Sequence, residues 1–198
     1  ITNMDSPLGS AVGNSLEVIE SVEILKGKTS GDLWTVCREL SCRMLMLAGI
    51  GDKDECGRLV DEAVESGEAL KRFEMMVKLQ GGDVSYIEDT SKFRKASFSR
   101  EVYAPADGYI THMDSEKIGL TAVLLGAGRE KKEDNINHAA GIMIAAKAGD
   151  FVKRGELLAT LFADNKSRLD GAESRYLSAV SIGDKKPAEQ PMILDYID

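Results

Sequence analysis

The residues with the clearest chemical potential stand near the start of the chain. Pro7-Leu8-Gly9-Ser10-Ala11-Val12-Gly13 is a loop-forming run. Pro7 fixes its own φ and biases Ser6 toward extended geometry. Gly9 and Gly13 permit backbone conformations that a Cβ resists. Such a loop can turn several carbonyl oxygens toward one point. From Asn14 the period changes to helical, and Glu17, Glu20 and Glu23 fall off the apolar face. Loop carbonyls plus one helix carboxylate suit a hard cation, which prefers oxygen ligands. Glutamates on a helix are mostly solvated surface, so the residues alone leave both readings open.

Other reactive types are sparse. The two histidines, His112 and His138, sit beside polar residues with no carboxylate partner close in sequence. Without an HExxH pattern they do not suggest zinc. The three cysteines, Cys37, Cys42 and Cys56, form no CxxC and no spaced framework. They read as reduced thiols packed on or near a helix core. Gly126-Ala127-Gly128-Arg129 is the one glycine-arginine loop that could meet an anion, but it is short, and a plain turn is the better reading. There is no Walker loop, no GxGxxG and no GxSxG elbow. Taken by residue type, the chain carries no catalytic constellation.

The elements that must position these groups can be read from period and punctuation. Leu16, Ile19, Val22 and Leu25, with Val12 one turn before, share a helix face. Asp32 is placed as an N-cap. A helix follows with Leu33, Val36, Leu40, Met44 and Leu47 on one stripe, stopped at Gly49 and Gly51. Further helices are predicted over Lys53–Ser66, with Leu59, Val60 and Ala63 inward, and over Gly67–Leu79, with Leu70, Phe73, Met76 and Val77 inward. Met44, Met46, Met75 and Met76 read as core filler. The charged stretch 81–96 reads as a linker. Strands are expected over Phe98–Ala104, Tyr109–Met113, Gly141–Lys147, Glu156–Ala163 and Pro191–Ile197. Helices are expected over Ser115–Leu125, begun near Asp114, and over Asn165–Val180. The fold class is α+β, with a helical part at 1–80 and a mixed domain at 97–198.

Composition narrows the setting. The 198 residues carry a net charge of −8, with 43% hydrophobic and 29% charged residues. That points to a globular chain, away from nucleic acid as main partner. No apolar run reaches membrane-spanning length and no secretory signal is evident, so a cytoplasmic protein is expected. The sequence opens without an initiator Met, and the first loop reads as one half of a junction whose other half lies upstream.

MDSPLGSAVGNSLEVIE resembles the sequence of the pyrimidine-nucleoside phosphorylases, the thymidine phosphorylase family. The likeness continues through Asp32-Leu33, LQGGD at Leu79–Asp83, APADGYI at Ala104–Ile110, LGAGR at Leu125–Arg129 and GDFVKRGELLATLF at Gly149–Phe162. It covers nearly the whole chain in order and implies the C-terminal half of such an enzyme. The C-terminal domain would then be α/β-hammerhead-like.

The resemblance implies reversible phosphorolysis of a pyrimidine (deoxy)nucleoside, such as uridine, thymidine or deoxyuridine, to free base and pentose 1-phosphate. It implies a homodimer, and it places the phosphate loop and base-binding residues upstream, so that this chain alone would be inactive. Bacterial members hold a potassium ion. In the matching positions Leu8 and Ala11 would offer carbonyls and Glu20 its carboxylate. LGAGR favours broad pyrimidine phosphorylases, and Ile136-Asn137 departs from the family's Ile-Asp. The Gly126–Asn137 loop is the candidate for closing over substrate. A second resemblance, of VYAPADGYI and GDFVKRGELLATLFADNK to biotinyl and lipoyl carrier half-motifs, would make Lys166 a modified lysine. It lacks the usual Glu-x-Met-Lys or Glu-x-Asp-Lys context.

Overall fold

A computed structural model describes residues 1–129 and 131–197. Its elements run β1 (Ala11–Val12), α1 (Asn14–Leu25), α2 (Gly31–Leu47), α3 (Lys53–Glu65), α4 (Glu68–Leu79) and α5 (Ser85–Glu88). A 3-10 turn (Thr90–Lys92) follows. Then come β2 (Phe98–Tyr103), β3 (Gly108–Met113), α6 (Ser115–Leu125), β4 (Gly141–Ile144), β5 (Phe151–Val152), β6 (Leu157–Ala163), α7 (Ser167–Ala179) and β7 (Val180–Gly183). The expected α+β class is what the chain adopts. Contacts divide it into one unit of residues 1–2, 19–92 and 192–198, and another of residues 3–18 and 93–191. Helix α1 begins in the second unit and ends in the first.

The first unit is helical. Arg38 on α2 grips Asp61 on α3 through two nitrogens, each at 2.6 Å. Asp52 caps α3 by accepting from Glu55 N at 2.9 Å, a first-turn donor that would otherwise lack a partner. Gly67, at φ 77°, turns α3 into α4. The unit's buried hydrophobic residues are Val22, Val36, Cys42, Cys56, Val60, Val64 and Ile87. A groove of about 710 Å³ opens among the helices, lined by Trp34, Cys37, Met44, Leu59, Ala63 and Phe73.

Several expectations fail in this unit. The α2 stripe ends outward, with Leu40 53%, Met44 69% and Leu47 89% exposed. Helix α3 packs instead on the face carrying Arg38 and Cys42. Met75 and Met76 are likewise exposed rather than core filler, and α4 buries no residue. Cys37 is exposed, whereas Cys42 and Cys56 are buried as expected. Ser30, not Asp32, stands at the α2 N-cap; Asp32 lies in the first turn, its carboxylate accepting from Leu33 N. The last expected strand, Pro191–Ile197, contributes only an isolated antiparallel bridge, Thr2 to Ile193. That segment is held by side chains as well, with the Arg43 guanidinium 3.9 Å over the Tyr196 ring.

The second unit holds both sheets. One is four-stranded in the order β1-β4-β6-β2 and the other three-stranded in the order β5-β3-β7, all pairings antiparallel. Strands β2 and β3 are neighbours in sequence and belong to different sheets, so Pro105–Gly108 is a crossing between layers. Helix α6 starts where expected, with Asp114 accepting from Lys117 N at 3.0 Å, and stops at Gly126, φ 111°. The core joins Val102, Ile110, Met113, Ile118, Leu125, Ile142, Leu158, Leu161, Leu169 and Tyr176, each at most 2% exposed. From Ala159 on, β6 alternates: Ala159, Leu161 and Ala163 are buried, with Thr160 and Phe162 between them less so, while Leu158 before them is buried as well.

Candidate functional site

The opening loop is built into the second unit by backbone pairing. Ala11 pairs with Met143 and Val12 with Ile142. Ile144 N donates to Ser10 O at 2.8 Å, which makes Ser10 and Ile144 a hydrogen-bonded pair. Antiparallel pairs alternate. Ala11 therefore sits in a non-hydrogen-bonded pair, and its carbonyl is directed away from β4, at the edge of the sheet. One residue further, the backbones nearly touch. A Cβ on Gly13, at φ 146°, would lie 2.6 Å from Ala140 O, and one on Gly141 would lie 2.4 Å from Val12 O. Glycine is required on both sides of this contact.

Gly9, at φ 71°, is buried. Its carbonyl accepts from Lys147 Nζ at 2.6 Å. Lys147 follows β4 by three residues and was not singled out from the sequence, where it is one of many lysines. Gly9 and Ser10 thus have their oxygens held by Lys147 and Ile144, and Leu8 and Ala11, the expected carbonyl donors, flank them.

The three glutamates of α1 separate by role. Glu17 Oε1 accepts from Gly13 N at 2.8 Å and so caps its own helix start. Glu23 pairs with Lys28 at 2.5 Å. Glu20 is half-buried. Leu8 and Ala11 lie in the second unit and Glu20 in the first. Among the described residues no group of three or more His, Cys, Asp or Glu is placed to hold a metal ion. The oxygen donors of the loop are of another kind, main-chain carbonyls.

A second loop lies against the first. Asn14 Nδ2 donates to Ala127 O at 2.8 Å, and Ser15 N donates to His138 O at 3.0 Å. The structure therefore brings the start of α1 to both ends of the 126–137 segment, of which Glu130 lies outside the described residues. Asn137 N closes the segment on Gly126 O at 2.9 Å. The departure at Asn137 has a clear partner: its Oδ1 accepts from Arg94 Nη2 at 2.6 Å and from Ala139 N at 3.1 Å. Arg94 also reaches Asp164 at 2.6 Å. Hydrogen bonds from the Ser97 backbone and from Arg94 and Ser97 side chains hold the Asp164 carboxyl down at about 2. This node ties the start of β2 to the end of β6, and nothing in the local sequence announced it. His138 takes part through its main chain, and both histidine rings are exposed. Lys166 stands directly before α7, in helical geometry and not at a hairpin tip.

Similarity to known proteins follows the same map. Residues 109–183 match the pyrimidine nucleoside phosphorylase C-terminal domain, a span from β3 to β7. The pyrimidine-nucleoside phosphorylase of Bacillus subtilis (strain 168) is 41% identical over 168 residues, 84% of this chain and 39% of that protein. That of Geobacillus stearothermophilus is 34% identical over 195 residues, 98% of this chain and 45% of the relative. That of Staphylococcus aureus (strain USA300) is 37% identical over 185 residues, 93% and 42% respectively. The chain spans less than half the length of these curated relatives. The expected motifs fall on the glycine-bounded loop, the paired strands and the capped α6 just described, and the chain is similar to pyrimidine-nucleoside phosphorylases along most of its length, with residues 109–183 matching their C-terminal domain.

Proposed function

We propose that this chain is part of an enzyme that reversibly splits a pyrimidine (deoxy)nucleoside with phosphate, giving free base and (deoxy)ribose 1-phosphate. The observation that carries the reading is similarity to pyrimidine-nucleoside phosphorylases along 84–98% of the chain. Phosphate attacks the anomeric carbon as the bond to the base breaks. Catalysis of that kind rests on positioning and on stabilising charge at the departing base. The groups that bind phosphate and base are proposed to lie outside these residues, so the 198-residue chain does not turn over substrate alone. Homodimerisation and a cytoplasmic setting belong to the same proposal.

Potassium is the proposed ion of the opening loop. The fit is chemical and geometric: the donors are oxygens, which suit a hard cation, and the β1–β4 register directs Ala11 O away from the sheet. Leu8 and Ala11 would hold it through carbonyls and Glu20 through its carboxylate. Bound there, the ion supplies positive charge and order to the loop. The residues of this chain hold the loop's shape with glycine, strand pairing and the Glu17 cap.

The test is release of uracil or thymine from uridine, deoxyuridine and thymidine by the complete gene product and by residues 1–198, with and without phosphate and potassium. Base release by the complete product that requires phosphate supports the reading. Release that ignores phosphate overturns it.

A further inference from the structure

Two carbonyls that are to hold one ion must keep a fixed spacing, and the structure shows which groups hold the backbone between them. Between the peptide plane bearing Leu8 O and the plane bearing Ala11 O lie just two others, those bearing Gly9 O and Ser10 O. Each peptide unit is planar, so anchoring its oxygen restrains the orientation of the whole unit. Ser10 O is anchored by a main-chain strand contact, Ile144 N at 2.8 Å. Gly9 O is anchored by a side chain, Lys147 Nζ at 2.6 Å, in a partly buried contact. Gly9 has φ 71° and no Cβ to restrict it, so that plane is the freest joint in the span.

We propose that Lys147 is a positioning residue for the monovalent-cation loop. Its ammonium holds the Gly9 carbonyl away from the ion and thereby sets the separation of the Leu8 and Ala11 oxygens. The inference rests on the potassium reading above. It adds a group that touches neither ion nor substrate. Outer partners of this kind typically alter metal affinity by about 10–100-fold when removed.

The complete gene product is titrated with KCl, and separately with NaCl, in choline chloride at constant ionic strength. The thermal midpoint is the readout, and the ion concentration giving half the shift is compared among wild type, Lys147→Met and Lys147→Arg. Lys147→Met is expected to raise the half-effect potassium concentration about tenfold and to narrow the preference for potassium over sodium. A merely structural loss would lower the melting temperature and leave both quantities unmoved. Lys147→Arg keeps charge but replaces a compact ammonium by a planar fork. It is expected to shift the half-effect concentration in the same direction by less than Lys147→Met does, and decides the question alone should Lys147→Met fail to fold. An unchanged half-effect concentration overturns the proposal. So does a lower one, which would mean that the ammonium acts as a repelling charge. A wild type without any potassium-specific response overturns the potassium reading along with it; a responsive wild type with unmoved variants removes Lys147 alone.

Discussion

The two units use apolar residues in opposite ways. In the second, β4 and β6 and the facing sides of α6 and α7 close over one another, and Leu158, Leu161, Ile142 and Tyr176 are all at most 1% exposed. In the first, α4 buries nothing, and Leu47 and Leu79 are 89% and 80% exposed. Both regions carry clean apolar periods in sequence. The difference teaches that period identifies the face of a helix that is apolar, while only tertiary pairing determines whether that face is covered.

The contrast can be broken most decisively by truncation. Leu161→Ala, on the inner strand β6, is expected to cost about 2–5 kcal/mol, read by denaturant unfolding together with hydrogen exchange of β4 and β6 amides. Leu47→Ala should change stability by no more than about 0.5 kcal/mol. A comparable cost at Leu47 would show that the α2 face is covered in solution, and the contrast would vanish.

Acid sharpens the picture on the polar side of the second unit. The Asp164 carboxyl lies below its unfolded value, so it stabilises the fold above that unfolded value, roughly 3.9. The stabilisation is lost as pH falls from there through about 2. Its side chain is 31% exposed, and solvent screening limits the effect to about 1 kcal/mol. Asp164→Asn should flatten this part of a stability-against-pH curve; an identical acid limb in the variant would remove Asp164 as its source.

The smallest expected effect concerns an interior hydroxyl. Tyr176 Oη is buried with no hydrogen-bond partner among the described residues, and burial pushes its phenol strongly upward. Tyr176→Phe should be neutral or stabilise by up to about 1 kcal/mol. A clear loss by calorimetry would reveal a partner for the hydroxyl in solution.

How much could be read from sequence depended on whether a signal was local. Helix α6 was bounded correctly because Asp114 and Gly126 mark its ends chemically. Helix α1 was found from Leu16, Ile19, Val22 and Leu25. Strands β1 and β5 were invisible, being two residues each, and too short for alternation to register. The separation of β2 and β3 into different sheets depends on partners dozens of residues away. At the loop, Gly9 and Gly13 announced unusual backbone, and the start of α1 announced its carboxylates. The partner of Gly9 did not show itself, because the contact from Lys147 spans 138 positions. The Arg94–Asn137–Asp164 node was silent for the same reason.

The edge strand has a consequence for how the molecule is made. Ala11 emerges 132 residues (143 − 11) before the Met143 that it pairs with. At about 5–20 residues per second of synthesis, the opening segment waits on the order of ten seconds without its neighbour. A nascent chain stalled before β4 should therefore leave Pro7–Gly13 open to proteases, and protection should arrive abruptly once residue 144 has cleared the ribosome exit.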